Sequence, residues 1–276
     1  MSAEVKQLGS EHESSLRALL SSEPIRNLHP LALLEEVGIS PGPSSSFYGC
    51  FRSQQLLAAA FVRPSLGLVV PGSCTAADAL ALGIGMAGKI ALRSCFGDRA
   101  AVEALVSRLC PSRPRLSMPH RLLTASADNL GPFVTPALRL ANERDFPQLA
   151  SMAAAEEEEV FERDPQLEHG GALRAEVLER IRGQRTWVLE HDGRLVLKVD
   201  VVARSRFGAE LQGLFTLRDD RFLGFATLAL GQLSRHLLSS LPRLAMRIAD
   251  SADSLLAVAR KVGYVNGHTE QLLVFT

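Results

Sequence analysis

Gln212-Gly-Leu-Phe-Thr-Leu-Arg-Asp-Asp-Arg221-Phe-Leu-Gly224-Phe-Ala226-Thr227 runs from an apolar strand through a turn into the start of a helix. Residues after Arg221 would point several backbone N–H groups into one concavity at the helix N-terminus. Unpaired donors and the positive end of the helix dipole both favour an anion there. Gly224 and Ala226 leave room for a ligand to approach the backbone.

Working outward, periodicity predicts a strand at 138–141, a helix from Glu143 and a second helix at 172–182. A hairpin follows, 186–190 turning at His191-Asp-Gly193-Arg into 195–203, and 210–217 completes a meander. A helix from Gly224 to about Ser240 carries Leu228, Leu230, Leu233, Leu237 and Leu238 on one side. A strand at 243–249, a helix at 252–262 closed by Gly263, and a strand at 271–275 end the chain. The first half predicts nearly the same order: strand 5–8, helices 11–20 and 30–37, hairpin 46–52 and 55–62, strand 66–70, helix 76–86, strand 89–94, helix 100–110 and strand 121–125. Two matching orders suggest duplication, with an offset of about 133 residues when Leu16 is set against Leu149. Only the order repeats. Where the second half has Arg221-x-x-Gly224-x-Ala226, the first has Pro71-Gly-Ser-Cys-Thr-Ala-Ala. The boundary falls in the Ala-, Asn-, Gly- and Pro-rich stretch 126–135, giving domains 1–130 and 136–276.

A chain of 276 residues accommodates two such cores. With 46% apolar and 22% charged residues it is not a largely disordered chain. Zero net charge gives no global reason to expect nucleic acid or an anionic membrane as partner. The N-terminus shows no basic segment followed by an apolar run, so no signal peptide is expected, and no stretch is long and apolar enough to span a bilayer. Cys50, Cys74, Cys95 and Cys110 are widely spaced without a Cys-x-x-Cys pair, which suits reduced thiols in a cytoplasmic protein. His236 has no ligand-like neighbours at metal spacing, so no metal is expected.

Arg221-x-x-Gly224-x-Ala226, following Leu214-Phe-Thr216 and opening a helix, resembles the acyl-CoA loop of the GNAT superfamily of N-acetyltransferases. That loop reads Gln or Arg, two residues, Gly, one residue, then Gly or Ala. Further on, Lys261-Val-Gly263-Tyr264 looks like the end of the family's late helix. The resemblance spans roughly 138–276, and the first half looks like the degenerate N-terminal domain of tandem members. It implies an α/β fold of two tandem GNAT-like domains, each a mostly antiparallel mixed sheet flanked by helices. It also implies acetyl-CoA as acyl donor. Backbone groups of Leu214, Phe215 and Thr216 would then bind the pantetheine, and the N–H groups of Phe222, Leu223, Gly224, Phe225, Ala226 and Thr227 the pyrophosphate, with charge added by Arg221.

Departures from the family pattern carry their own expectations. Phe222 stands where most members have glycine and Leu223 where many have a basic residue, so both are expected to narrow the loop. Ala252 replaces a frequent Asn, and Ala259 a tyrosine that serves many members as general acid. Glu210 and Gln212 share a face of their strand, and Glu210 is the candidate base. Lys198 and Asp200 share a face of the neighbouring strand as an expected ion pair. Asp250 is an expected helix N-cap. In Glu156-Glu-Glu-Glu159, a solvated helix end by its charge alone, Glu158 and Glu159 are candidates to receive a cationic amine or supply the base. His169 is expected in a loop beside Gly170-Gly171. The functional expectation is transfer of acetyl to a primary amine of a small molecule or protein, with a non-catalytic CoA-binding sensor or scaffold as alternative. A homodimer is an open option, and the halves are expected to pack through their sheets with the first shaping the acceptor cleft.

Overall fold

The computed structural model describes residues 3–39, 46–63, 67–72, 74–110, 112–133, 138–161 and 165–275, with the side chains of Val37 and residues 165–170 left aside. The first half contains β1 (Glu4–Gln7), α1 (Glu13–Ser21), α2 (Leu28–Val37), β2 (Ser46–Arg52), β3 (Gln55–Arg63), β4 (Leu68–Pro71), α3 (Ala76–Met86), β5 (Ser94–Asp98), α4 (Arg99–Leu109) and β6 (Leu116–Ala125). The second contains β7 (Leu138–Leu140), α5 (Phe146–Phe161), α6 (Pro165–Arg182), β8 (Thr186–His191), β9 (Arg194–Ser205), β10 (Gly208–Thr216), α7 (Phe225–Leu238), β11 (Leu244–Ala249), α8 (Asp253–Val262) and β12 (Val265–Val274). Part of the expected linker, Val134 and Thr135, lies outside the described residues.

The described strands form one mixed sheet in the order β1-β2-β3-β4-β5-β12-β6-β11-β10-β9-β8-β7. The last strand of each half sits against the other half. β12 pairs antiparallel with β5, and β6 pairs antiparallel with β11. The halves therefore meet edge to edge through exchanged strands. Helices cover both faces of the second half: α7 and α8 bury Leu230, Leu233, Leu256 and Val262 against Leu211 and Met246, while α5 and α6 bury Leu149, Val177 and Ile181 against Val188 and Phe215. The expected β8–β9 turn forms, with Asp192 at φ 50° and Gly193 at φ 73°, as a two-residue hairpin of this handedness requires.

Three strands differ from their sequence reading. The strand expected at 89–94 is instead β5, where Gly97 and the N-capping Asp98 read as turn residues; Asp98 Oδ1 accepts from the Ala101 N–H at 3.0 Å. β6 starts earlier than 121 and runs through Pro119, a residue that normally argues against a central strand. It is tolerated because its carbonyl accepts from the Asp250 N–H at 2.9 Å. Its missing N–H lies on the same side, opposite Asp250 just past the end of β11, so only one terminal ladder bond is forgone. β12 starts earlier than 271 and includes the polar Asn266-Gly-His-Thr-Glu stretch. Helix α6 starts before 172, so the backbone of His169 is helical and not in a loop; its side chain lies outside the described residues. Among the described residues no helix is long and apolar enough to cross a membrane.

Candidate functional site

β10 pairs in parallel with β11 only at Ala209, Glu210 and Leu211, opposite Leu244, Ala245 and Met246. Beyond that point the strands diverge, and a bulge between Gln212 and Phe215 bends β10. Gly213 makes the bend at φ 61°, where a Cβ would stand 2.7 Å from Lys198 Nζ and 2.8 Å from Asp200 Oδ2. The expected pair does form, with Lys198 Nζ 3.2 Å from Asp200 Oδ2. Lys198 also donates to the Gly213 carbonyl at 3.2 Å and meets Glu156 at 2.6 Å, while Thr186 donates to Asp200 at 2.6 Å. This buried cluster holds the bend in place. Glu156, the first residue of the acidic run, thus belongs to the interior network.

A 3-10 turn, Arg218–Asp220, joins β10 to the loop, fixed by a two-pronged pair of Arg194 to the buried Asp220 at 2.6 and 2.7 Å. Gly224 then takes φ 86° immediately before α7, with nothing within 4 Å of an added Cβ. Among the described residues, no carbonyl or side chain accepts from the N–H groups of Phe222, Leu223, Gly224, Phe225, Ala226 or Thr227; the first helical bond is Leu228 N to Gly224 O at 3.1 Å. Six successive donors without a protein partner at the positive end of a 14-residue helix are what an anion cradle requires. The expected crowding does not occur. Phe222 is 96% and Leu223 61% exposed, so both side chains point to solvent.

Phe222 adopts φ 65°, the left-handed conformation that glycine occupies freely. The loop therefore retains a glycine-type backbone without the glycine, at about 1–2 kcal/mol for a non-glycine residue. Phe222→Gly removes that strain and sacrifices no packing, while adding unfolded-chain entropy of about 0.4–1 kcal/mol. We expect a net gain near 0.5 kcal/mol in urea unfolding. A loss would mean that the ring holds something the exposure does not register.

Arg221 is engaged within the protein beside the loop. Its Nη2 lies 2.9 and 2.8 Å from the two Glu159 oxygens, and its Nε donates to the Thr216 carbonyl at 3.0 Å. The guanidinium rests over the Phe215 ring, 5.4 Å from its centroid. Glu159 accordingly flanks the loop, and Glu158 is exposed on α5. Neither carboxylate is brought to the bend in β10.

Glu210 is at the point of divergence but is not a free base. It is 2% exposed and bound to Arg247 Nη1, with Gln212 Nε2 donating to it at 2.8 Å. The same guanidinium holds Glu270 of β12 through Nε at 2.6 Å and donates through Nη2 to the Arg26 carbonyl at 2.8 Å. Burial opposes ionisation of Glu210, but Arg247 and then His29 outweigh it and hold the carboxyl below its usual range. A carboxylate so held is a poor proton acceptor. Glu270 is raised, first by burial and also by its neighbour Glu210, against the pull of Arg247. Arg247, Glu270 and His29 escaped the sequence reading; an arginine and a glutamate, each on a separate strand, carry no spacing signal.

Position 259 of the late helix offers no acid. Ala259 is fully buried in the α7–α8 core. Tyr264 is also buried, its hydroxyl 2.8 Å from Ser234 Oγ, and burial pushes its pKa up. Asp250 is not an N-cap: Ala252 occupies that position of α8 without a side-chain cap bond, and Asp250 accepts from Arg121 Nε at 2.8 Å. Among the described residues no group of three or more His, Cys, Asp or Glu side chains is placed to hold a metal.

A strand that splays from its parallel neighbour and leads into an amide-lined loop at a helix N-terminus is the architecture of the GNAT acetyltransferase fold, and the solved structures bear this out. A GNAT-family acetyltransferase from Colwellia psychrerythraea is 14% identical with a TM-score of 0.62, over 99% of this chain and 100% of that one. A Drosophila protein is 14% identical with a TM-score of 0.71, over 98% of each chain. A tandem GNAT protein from the clavulanic acid biosynthesis pathway is 12% identical with a TM-score of 0.56, over 99% of this chain and 98% of that one. At such identities the likeness establishes the fold alone. Neither a family model nor a curated protein matches the sequence.

Proposed function

We propose that this protein is an acyl-CoA-dependent N-acyltransferase that moves an acetyl group to a primary amine by direct attack. The observation that carries the reading is the run of six amides at residues 222–227 that have no partner among the described residues, beside the gap between β10 and β11. The residues fit the donor: the cradle would hold the pyrophosphate, and the free edge of Leu214, Phe215 and Thr216 would hold the pantetheine amides. Bound there, acyl-CoA supplies an activated thioester. The protein's share is to position it at the Gly213 bend, and to present the amine to it in neutral form. With a buried alanine at position 259, the departing thiolate takes its proton from the attacking nitrogen or from solvent. Four unpaired cysteines agree with a reducing, cytoplasmic setting.

Thiol release from acetyl-CoA, followed with a panel of primary amines, tests the reading. Saturable, amine-dependent release is expected. The sensor reading is favoured by the missing acid and by the pair of Arg221 with Glu159, and it predicts tight CoA binding with no release for any amine. A further consequence concerns that pair. Glu159→Gln frees the Arg221 guanidinium for the phosphates, so CoA affinity should rise several-fold in calorimetry. Unchanged affinity would mean that Arg221 does not reach the ligand.

A further inference from the structure

A cleft of about 1130 Å³ opens where β9 outruns β8, between elements of both halves. β8 begins with Thr186 opposite Asp200, so residues 201–204 of β9 have no β8 neighbour. The first half contributes α2 and β3, and His29 lies in the first turn of α2, half-buried, its ring tilted on Phe61 at 5.9 Å. The position of that turn is fixed. Leu28 packs on Leu122 and Ala245, and the Arg26 carbonyl accepts from Arg247 at 2.8 Å. His29 is therefore bolted over the same sheet face that carries Glu210 and Arg247, at the vertex where β10 and β11 part.

We propose that this cleft admits the amine acceptor and that His29, supplied by the first half, takes the proton from its ammonium group. The inference rests on the N-acyltransferase reading and names the acceptor side of that site. Glu210 is committed to Arg247; of the titratable groups that line the cleft, Glu35, Glu36, Glu179, His236 and His29, the last is the one next to Leu28, which packs on Ala245 of β11. The groups around it are Glu210 of β10, Arg247 of β11, Arg63 of β3 and Arg185 ahead of β8; burial and the three arginines outweigh Glu210 and keep the imidazole neutral below its ordinary pKa. The same cations disfavour an ammonium and so favour the nucleophilic amine. On α2 and β3 the wall beside His29 is Ala32, Leu33, Phe61 and Arg63, while Glu36 is held by Arg185 at 3.1 Å and Glu35 by Arg206 at 3.8 Å; Glu179, Arg204 and His236 line the side given by the second half. The acceptor class is accordingly a primary amine on an apolar body. In the balanced step the ammonium gives one proton to His29, the nitrogen lone pair forms the C–N bond as the C–S bond breaks, and the thiolate takes the second nitrogen proton.

The test uses the full chain, acetyl-CoA and a series of primary amines from benzylamine to octylamine. His29→Gln should lower kcat at pH 7 by about 10²-fold or more, with CoA affinity in calorimetry unchanged. The deficit should shrink as pH approaches the amine's own pKa, because solvent then delivers neutral amine. In His29→Ala, added imidazole should restore part of the rate. Trp187, the one tryptophan in the chain, lines the cleft, so its fluorescence should change saturably with amine in either variant if the fold is intact. Normal CoA binding together with full activity of His29→Gln, or with no turnover of any amine by the wild type, overturns the inference while leaving CoA binding standing. Absence of CoA binding by the wild type would instead remove the reading beneath it.

Discussion

Arg247→Leu is expected to destabilise the protein by about 3–5 kcal/mol, the usual cost of stranding a buried carboxylate by deleting its partner. Two carboxylates depend on this guanidinium, Glu210 and Glu270, each 2% exposed, and it also ties β11 to the entry of α2 through the Arg26 carbonyl. The pH dependence gives the loss a signature. In the wild type Glu210 lies below its ordinary value of 4.5, so its contribution is complete above that value and disappears as pH falls through the folded pKa. Glu270, raised in the fold, works in the opposite direction. Without Arg247 both carboxyls are raised, and the folded state binds protons more readily than the unfolded chain. The variant should therefore recover stability on going from pH 8 to pH 5, while the wild type changes little. Urea unfolding at both values reads this directly. A difference below about 1 kcal/mol at pH 8 would mean that the triad is solvated and weak.

Gly224→Asp should abolish anion binding and leave the fold nearly unchanged. Aspartate tolerates the left-handed region better than most residues. An added Cβ at Gly224 meets nothing within 4 Å. The strain, about 1 kcal/mol, is offset in part by about 0.3–1 kcal/mol from a carboxylate at the helix N-terminus. That carboxylate occupies the space over the free amides. Against a phosphate about 4 Å away at an effective dielectric near 20 it costs about 4 kcal/mol, or roughly a thousandfold in affinity. Calorimetry with CoA, alongside a melting curve, separates binding from folding. Gly224→Ala should fall between wild type and Gly224→Asp. Retained CoA affinity in the aspartate variant would place the pyrophosphate elsewhere.

The parts of this structure that sequence made legible are local ones. The loop between β10 and α7 shows itself because an apolar run, a turn and a glycine before a leucine-spaced helix lie in sequence order. Lys198 and Asp200 pair as expected because two residues on one strand two apart must share a face. What escaped depends on distant parts of the chain. Arg221 is 62 positions from Glu159, and only the packing of α5 beside the loop brings them together. The exchange of β6 and β12 is a matter of which strand edges meet, and alternation within either strand says nothing about its neighbour. Phe222 misled for a different reason: its bulk implied an obstruction, whereas its positive φ turns the ring outward. His29 sits in a stretch that reads as the approach to an ordinary helix, and acquires meaning only when the first half is laid over the β10–β11 vertex.

The central claim is that residues 222–227 bind the pyrophosphate of CoA, and titration calorimetry of CoA into the 276-residue chain tests it most directly. The account predicts a saturable one-site isotherm in the wild type that is lost in Gly224→Asp. No heat of binding at millimolar CoA, or an isotherm indifferent to Gly224→Asp, would contradict it.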